Sequence, residues 1–505
     1  MKAHFFNPSL RFATALSLLL LAAAHPAFGA VTFTGDAYDN GDVVVGESGE
    51  GSLMIDDGSS LSNADSFVGY NSGSLGNVTV SNGTWTSSGT LFMGFYGNGS
   101  LTINSGNVSN ASGNVGTGAS STASVNVNGG TWTNSDALYI GNIGNGSLTI
   151  NSGNVSNTDG FVGYGTGSTG TASVSSGTWT NSANLTIGSA GNGTLNLTGN
   201  GTVTVGGGLV SLASSSGKTG TLNLGNGTTA GTLSAATITG GSGTAVVNIN
   251  QGGNYTLGSN MTGSLALRHI GTGTTTLTGS NTYTGNTTIS AGTLNVNGST
   301  SASSRFTVAS GATLGGNGTI GGATTIYGIH SPGNSPGIQT FTGNLTYDTS
   351  GGSVPTVNWQ LSDNTDTDFS AFDQIVVGGN LAFSTATSLE LDFSGYGDVD
   401  WADTFWTTDQ SWVIYDVDGT TTGANNFSIA TANWADNSGD SFNNALAGSS
   451  FALDLQGNNL VLNYTAGTSA VPEPSQAAAS LLVLVGLGIY LWRRKHAVQA
   501  KRQHS

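Results

Sequence analysis

Apolar and polar residues alternate along most of this 505-residue chain in short runs, with glycine-rich turns between them. In Gly97–Asn110, GNGSLTINSGNVSN, Leu101 and Ile103 alternate with serine, threonine and asparagine, which is the period-two pattern of a strand with one buried face. The same fourteen residues return unchanged at Gly144–Asn157, 47 positions later. A strand pattern that recurs at a fixed step predicts a repeat architecture.

Other short motifs also recur every 47 residues, and some of them divide each 47-residue unit into two parts. Trp85, Trp132 and Trp179 each stand in a GTW triplet, and the runs Leu138–Gly141 and Phe161–Gly163 split each unit into pieces of roughly 22 and 25 residues. Each piece suits one coil of a right-handed parallel β-solenoid, so we expect two coils per unit, each covering the apolar residues of the next. Disorder is the alternative for a Gly- and Ser-rich chain, but the recurring apolar columns argue against it.

The composition supports an all-β fold and excludes several others. The chain has 81 glycines, only 7% charged residues, seven prolines and no cysteine. Strong helix formers are scarce, which excludes a helical globular protein. The glycines do not fall at every third position, which excludes collagen. Without cysteine there are no disulfides, thiolate metal sites or cysteine nucleophiles.

From Gly271 the pattern changes to GTGTTTLTGSNTYTGNTTISAGTLNVNGST. This phrase resembles the autotransporter-associated β-strand repeat, and the 47-residue units resemble related repeats shared by autotransporter passengers and PEP-CTERM proteins. The resemblance covers about residues 46–345. It implies a β-solenoid on an exported protein, but many solenoids with different roles share these repeats, so it implies no single function.

The regular pattern is expected to end at SPGNSPG, Ser331–Gly337, because proline and glycine impose turns there. We therefore assign 31–337 to the solenoid, with the 47-residue units at about 49–210 and the autotransporter-associated repeat at about 264–300. Residues 338–466 have longer, more aromatic and more acidic strand patterns, and we predict a small acidic β module that caps the solenoid's open edge.

The N-terminal segment has the order of a secretory signal peptide. Two basic residues precede the apolar run Phe12–Ala24, and small residues follow it. We predict a signal peptide over residues 1–30, with cleavage after Gly29 or Ala30. The alternative is a retained membrane anchor, which the short apolar run disfavours.

The C-terminal segment contains VPEP in a linker, residues 467–476, then the apolar span 477–492 and a basic tail, 493–505. The span predicts a transmembrane helix, slightly shorter than a relaxed bilayer needs, and the basic cluster predicts a cytoplasmic tail. This order resembles the PEP-CTERM sorting signal. The residues that match the signal are Pro472, Glu473, Pro474, Arg493, Arg494 and Lys495.

The sorting-signal resemblance implies recognition by an exosortase, a membrane protease of Gram-negative bacteria that make exopolysaccharide. It implies a precursor anchored in the inner membrane and a mature form at the cell surface or in the extracellular matrix. The additional residues 496–505 after the basic cluster depart from the pattern and leave the efficiency of processing open.

Charge limits the partners of the exported part. Residues 31–471 hold three basic residues against 26 acidic ones, a net charge of −23. Such a surface repels phosphate backbones, which excludes nucleic acid as a partner.

Few residues in the exported part suggest catalysis or metal binding. His269 and His330 are its only histidines, and neither stands in a catalytic motif, so we expect both to be structural. In SDNTDTDFSAFD, Asp363, Asp366 and Asp368 are the candidate calcium ligands. The phrase lacks the glycine and the distal glutamate of an EF-hand, so a solvated acidic loop is preferred. We expect no catalytic residue, no cofactor and no enzymatic activity.

The repeated tryptophans allow two interpretations. If Trp85, Trp132 and Trp179 face outward, they form a row of flat rings that can stack on polysaccharide or cell-surface glycans. If they face inward, they are core, which is favoured because large aromatic burial would stabilise so glycine-rich a chain. The sequence as a whole predicts an adhesin-like or structural surface protein. The alternative is a secreted polysaccharide-binding or polysaccharide-degrading β-helix protein.

Overall fold

The computed structural model describes residues 30–467 except 335, 396 and 431–433, together with Ile489 and Trp492. The predicted signal peptide up to Gly29, the PEP motif, the basic cluster and all but those two residues of the predicted transmembrane span lie outside the described residues. Two compact units are present. Unit 1 extends to Gln251 and includes Met261–Leu265, and unit 2 comprises Gly252–Asn260 and the residues from Ala266 onward.

Unit 1 consists almost entirely of short strands joined by tight turns. Its strands are β1 (Val31–Gly35), β2 (Ala37–Asp39), β3 (Val43–Val45), β4 (Glu50–Asp56), β5 (Ser60–Asn63), β6 (Ser66–Val68), β7 (Leu75–Ser81), β8 (Gly83–Ser87), β9 (Leu91–Met93), β10 (Asn98–Ile103), β11 (Gly106–Asn110), β12 (Gly113–Val115), β13 (Thr122–Val127), β14 (Thr131–Asn134), β15 (Leu138–Ile140), β16 (Asn145–Ile150), β17 (Asn154–Asn157), β18 (Gly160–Val162), β19 (Thr169–Val174), β20 (Thr178–Asn181), β21 (Leu185–Ile187), β22 (Asn192–Leu197), β23 (Thr202–Val205), β24 (Leu209–Leu212), β25 (Thr219–Leu224), β26 (Thr232–Ser234) and β27 (Thr237–Ile249).

These strands stack into a parallel β-solenoid, which confirms the solenoid part of the predicted fold. Each coil contributes one strand to each of three faces. Face A contains β4, β7, β10 and every third strand to β25; face B contains β5, β8, β11 and so on to β26, eight strands in all; face C contains β3, β6, β9 and so on to β24. The identical strands β10 and β16 both pair with β13, which lies between them. One 47-residue unit therefore makes two coils.

The first coil is closed by antiparallel strands. β1 pairs with β4 at the edge of face A, and β2 pairs with β3 at the edge of face C. Antiparallel strands can join through short turns, so the chain covers these two edges with its own N-terminal segment and leaves fewer unpaired backbone groups there.

A glycine forms the corner after each face C strand from β3 to β21, and Ala213, also with a positive φ, takes this place after β24. Gly69 and Gly116 have φ values of +69° and +75°. A Cβ at Gly116 would lie 2.5 Å from the carbonyl oxygen of Asn145 in a neighbouring coil. The left-handed conformation and the close approach together explain why glycine recurs at this corner in each of these coils.

Unit 2 contains most of the longer aromatic strands. Its strands, the first of which precede or contain the boundary with unit 1, are β28 (Asn254–Leu257), β29 (Asn260–His269), β30 (Thr274–Leu277), β31 (Thr287–Ile289), β32 (Thr293–Val296), β33 (Phe306–Val308), β34 (Thr313–Gly316), β35 (Thr319–Ile320), β36 (Thr324–Ile326), β37 (Ile329–Pro332), β38 (Ile338–Phe341), β39 (Leu345–Tyr347), β40 (Thr356–Gln360), β41 (Gln374–Val377), β42 (Leu381–Phe383), β43 (Thr387–Asp392), β44 (Gln410–Val417), β45 (Thr421–Thr422), β46 (Phe427–Ile429), β47 (Ser450–Gln456) and β48 (Asn459–Thr465). Short helices are the 3₁₀ turns Thr404–Thr407 and Ala424–Asn426 and the α-helix α1 (Phe442–Ala445).

Parallel stacking also organises unit 2. Eight strands from β28 to β46 form one sheet, and β35, β38, β41 and β44 form another. These ladders run across the predicted domain boundary after Gly337, since β38 pairs with β35 and β40 with β37. The pairing then turns antiparallel at β44, β48 and β47. That residues 338–466 act as a separate capping domain stays a prediction.

Candidate binding surface on the β-solenoid

The three repeated tryptophans lie inside unit 1. Trp85, Trp132 and Trp179 are fully buried. Each indole N–H donates to an asparagine of the preceding coil; from Trp132 to Asn110 the distance is 2.7 Å. A buried ring offers no face to a sugar, so glycan stacking at these three positions does not fit the structure, and the inward interpretation does.

Face B explains why the repeat spans two coils. Along its inner column the residues in register alternate between tryptophan and a smaller apolar residue, with Val108 between Trp85 and Trp132 and Val155 between Trp132 and Trp179. Adjacent coils are only about 4.8 Å apart, so a tryptophan in every coil would overfill the interior. Alternation with valine gives each ring the space of two coils.

Asparagines next to these rings form a buried polar column. Asn110 donates its amide N–H to Asn134, and Asn157 donates to Asn181, each over 2.7 Å. The column satisfies the indole N–H groups while keeping polar atoms away from water, which is costly unless they are paired. The NVSN of the exact repeat therefore supplies the acceptor for the tryptophan of the next coil.

A half-buried aromatic ladder lies on the outer side of face C instead. In β6, β9, β12, β15 and β18 the central residue points outward, and these residues are in register on consecutive coils: Phe67, Phe92, Asn114, Tyr139 and Phe161. All four rings are half-buried. We call these five positions and the rings beside them the face C ladder.

Two pairs of rings in the face C ladder stack on each other. The centroids of Phe67 and Phe92 are 5.1 Å apart with an interplanar angle of 10°, and those of Tyr139 and Phe161 are 5.0 Å apart at 7°. Asn114 separates the two pairs. The corner loops add Tyr70, Phe95 and Tyr164, which contact the pairs edge-on. Tyr96 in turn contacts Phe95 edge-on.

The rim of this ladder is exposed and carries no positive side chain. Tyr96 is 57% exposed and Tyr164 39%. Partial burial raises the pKa of the Tyr139 hydroxyl, and the neighbouring Tyr164, Asp136 and Asp159 raise it further. Between residues 30 and 217 the sequence contains no lysine, arginine or histidine. The surface is therefore apolar with an acidic border.

Sequence reasoning concentrated on tryptophan and missed this ladder. Its signal was present: an aromatic residue stands two positions before the corner glycine in Phe67-Val-Gly, Phe92-Met-Gly, Tyr139-Ile-Gly and Phe161-Val-Gly. The strands are three residues long, so their alternation is too short to assign inward and outward positions without the coil.

His269 and His330, the two histidines among the described residues, are buried and hydrogen-bonded. His269 contacts the carbonyl oxygen of Ala291 through Nδ1 (2.8 Å) and Thr275 Oγ1 through Nε2 (3.1 Å). His330 contacts the hydroxyl of Tyr347 through Nδ1 (2.6 Å) and Gln339 Oε1 through Nε2 (2.7 Å). Burial lowers the pKa of His330 to about 4, opposed by the bond to Gln339.

The acidic phrase 362–373 forms a loop with turn-type hydrogen bonds. Asp363 accepts from the backbone N–H of Asn364, and Asp368 accepts from the N–H and hydroxyl of Ser370, which lowers its pKa. Asp366 lies at a separate shallow cleft near Asp409. Within the described residues no group of three or more acidic or histidine side chains is arranged to hold a metal ion.

Asp373, at the end of this phrase, is buried. Burial raises the pKa of its carboxyl to about 8, although the backbone N–H groups of Gly337 (2.8 Å) and Gln360 (3.1 Å) donate to it and lower the pKa. These bonds tie the loop to the strand β40 and to the turn before β38.

A second, polar cleft lies in unit 2. Its volume is about 530 Å³, and hydroxyl and amide side chains dominate its lining: Thr274, Thr276, Thr293, Asn295, Asn297, Thr313, Ser331, Gly333 and Asn334. It contains no charged side chain and no aromatic ring, so it offers hydrogen bonds without a stacking surface.

The described residues do not include the predicted sorting residues, Pro472 to Pro474 and Arg493 to Lys495, or the predicted cleavage residue Gly29. Ala30, the first described residue, is exposed. Among the described residues, no helix has the length and apolar character needed to cross a membrane.

Comparison with known proteins gives one family match. The Passenger-associated-transport-repeat family matches residues 267–296, which run from the end of β29 through β32 in unit 2. In this segment the hydroxyl of Tyr283 is buried against Thr287. A comparison with curated proteins finds no match. A β-solenoid that carries this repeat is consistent with an exported, passenger-like protein that is secreted or displayed at the surface.

Proposed function

We propose that the protein is an exported adhesin-like or structural β-solenoid of the cell surface or extracellular matrix, and that it acts by binding and not by catalysis. The observation that carries the proposal is the face C ladder, whose rings Phe92 and Tyr139 project from a rigid scaffold. Monomeric proteins rarely keep contiguous aromatic surface exposed without a use for it. Rigid strands also hold such rings ready for contact, with little loss of conformational entropy on binding.

The proposal includes a route to the surface. The signal peptide would direct export, and an exosortase would recognise the PEP motif around Glu473 while the span 477–492 holds the chain in the inner membrane. Processing would then release the mature protein to the surface or matrix. The family match to an exported class of repeat supports the export step.

Polysaccharide or cell-surface glycans are the proposed partners. The exported part has a net charge of −23, so nucleic acid and other polyanions are unfavourable ligands. The alternative is an enzyme acting on extracellular polysaccharide. The two differ in whether a bound polymer is shortened.

The experiment expresses the full chain in a Gram-negative host that has an exosortase. The control is the same host without the gene for this protein. We expect protease-accessible protein at the cell surface or in the matrix, increased attachment of cells to polysaccharide-coated surfaces, and no fall in polymer size. Retention of the protein in the cytoplasm contradicts the proposal, and shortening of the polymer supports the enzyme alternative.

A further inference from the structure

The face C ladder contains a gap that the repeat itself makes visible. Phe67-Val-Gly-Tyr70 and Phe161-Val-Gly-Tyr164 are equivalent positions in the first and third 47-residue units. The second unit has Asn114-Val-Gly-Thr117 at the same place, so both aromatic residues are replaced by small polar ones in a single coil. The backbone does not change, since the corner glycines have φ values of +69°, +75° and +73°.

The gap has an aromatic wall on each side. Phe92 and Tyr139 are the residues in register with Asn114 on the two adjacent coils. Phe92 stacks on Phe67 and Tyr139 on Phe161, so the remaining face of each ring points toward the coil of Asn114. Two strand spacings separate the two rings by about 9.6 Å, and a ring midway between them would lie about 4.8 Å from each.

The base of the gap is polar. Asn114 is only 7% exposed, and its Oδ1 accepts from the side-chain amide of Asn142 over 2.7 Å. The hydroxyl of Thr117 is buried without a hydrogen-bond partner. An unpaired buried hydroxyl is unfavourable, so a rearrangement that offers it a hydrogen-bond partner would stabilise the bound state. Ile143, 47% exposed, stands beside Asn142 at the rim.

This combination suits a saturated sugar ring. Two aromatic faces can contact the C–H groups on both sides of a pyranose, and amide and hydroxyl groups can bond its hydroxyls. The acidic border at Asp136 and Asp159 and the absence of basic residues disfavour phosphorylated and anionic sugars.

We propose that the gap between Phe92 and Tyr139, with Asn114 at its base, binds one uncharged pyranose unit of a neutral polysaccharide. The inference rests on the proposed function, because it names the class of polymer and the site that holds it. The rest of the face C ladder then supports the neighbouring part of the polymer.

The repeat supplies the variant that tests the site. Asn114→Phe with Thr117→Tyr restores the sequence of the first and third units and fills the gap with rings that the same backbone already accommodates. The matched control is Thr186→Phe with Ser189→Tyr, because Thr186 is in register with Phe161 one coil further on. The control adds the same two side chains at the end of the ladder and leaves the gap open.

Affinity electrophoresis of the full chain through gels containing hydroxyethylcellulose, laminarin, galactomannan or dextran, with alginate as the anionic comparison, measures binding. We expect at least one neutral polymer to retard the wild type and the control. The gap-filled variant should bind it at least about tenfold more weakly, with an unchanged circular dichroism spectrum and an unchanged or higher melting temperature.

Several results would overturn the inference. Equal binding by the gap-filled variant and the wild type removes the gap from the interaction while leaving the proposed function in place. Retardation by alginate alone contradicts the charge argument, and retardation by none of the polymers contradicts the site, whereas the surface-display and attachment assays judge the proposed function separately. A last outcome is that no polymer binds, but the wild type and the control dimerise with increasing concentration and the gap-filled variant does not. In that case the gap binds a second copy of the chain, and the polysaccharide inference is wrong.

Discussion

At the scale of single residues, the interior of unit 1 depends on pairs of one tryptophan and one asparagine. Trp132 fills the space of two coils, and its N–H is bonded to Asn110, which itself bonds to Asn134. The pair joins a large buried apolar surface to a complete hydrogen-bond chain. Removal of the ring therefore leaves both a cavity and an unpaired buried acceptor.

We predict that Trp132→Ala lowers the free energy of unfolding by about 3–5 kcal/mol, as other buried aromatic truncations do. Urea unfolding of the full chain measures the change. Thr133→Ala is the matched control, because Thr133 is the next residue of β14 and is exposed; it should change stability by less than about 0.5 kcal/mol. A Trp132→Ala protein as stable as the control would contradict the assignment of this ring to the core.

His330 belongs to a buried chain of hydrogen bonds in unit 2. The hydroxyl of Tyr415 donates to that of Tyr347 over 2.8 Å, and Tyr347 contacts His330 Nδ1. The other ring nitrogen contacts Gln339 Oε1, whose own amide donates to the carbonyl of Gly315. Every partner is satisfied while the imidazole is neutral, with Tyr347 donating to Nδ1 and Nε2–H donating to Gln339.

This network predicts that stability falls in acid. The unfolded chain protonates His330 near its ordinary pKa of about 6.5, whereas the folded protein does so only near pH 4. Between these values the unfolded state binds more protons, so stability is present above pH 6.5 and is lost as the pH falls toward 4. The loss attributable to this residue is on the order of 3 kcal/mol.

The comparison of His330→Gln with the wild type isolates that contribution. We expect the variant to lose less stability than the wild type between pH 7 and pH 4 in urea unfolding followed by tryptophan fluorescence. For each protein, the measured quantity is the difference between the free energies of unfolding at pH 7 and at pH 4. This difference is used because the substitution also changes stability at neutral pH. Parallel pH profiles for the two proteins would show that His330 does not titrate in this window.

At the scale of elements, the 47-residue unit is a removable pair of coils. Deletion of residues 97–143 joins Tyr96 to Gly144, and the strand β16 that follows is identical in sequence to the deleted β10. β16 can then pair with β7 in the register that β10 used. We predict a shorter but folded protein with an unchanged β-type circular dichroism spectrum, since solenoid stability is roughly a sum over neighbouring repeats.

A deletion out of phase provides the control for this experiment. Removal of residues 97–131 takes out about one and a half coils and would bring strands of different faces into register. This variant should be destabilised or insoluble. If both deletions are tolerated equally, coil phase does not determine the stability of unit 1.

At the scale of the whole molecule, export and sorting would depend on sequence motifs that lie outside the described residues. Proline disfavours a helical backbone at the residue before it, so the sequence Pro472-Glu473-Pro474 is expected to suit a protease cleft that reads extended chain. We predict that Glu473→Ala leaves the full-length chain in the inner membrane with the solenoid folded. Glu390→Ala, an exposed glutamate of unit 2, should be processed normally.

Mass spectrometry of the surface-exposed protein measures the C-terminus in each case. The expected mature wild-type protein ends near the PEP motif. A mature protein that retains Ser505 would contradict processing and would leave the segment 477–505 with an anchoring role alone.

The β-solenoid and its two-coil repeat could be predicted from the sequence alone. Leu101 and Ile103 alternate with polar residues, and their exact copies stand 47 positions away. Short stretches of sequence are therefore enough to predict both the strands and the stacking of coils. In a solenoid each coil contacts only its neighbours, which is why a local pattern is enough to predict the architecture. The continuation of parallel ladders past Gly337 was not predicted, because a turn rich in proline and glycine interrupts the pattern without interrupting the stacking.

Which aromatic residues face solvent could be seen only once the coils were placed in register. Phe92, Asn114 and Tyr139 are separated by unequal steps of 22 and 25 residues, and their alignment in one column becomes visible only through strand register. The direction of Trp132 was also open in sequence, because the strand around it is short and both neighbours are threonines. The register between coils decides whether each side chain faces the interior or the solvent. The same register therefore buries the tryptophans and places the face C ladder at the surface.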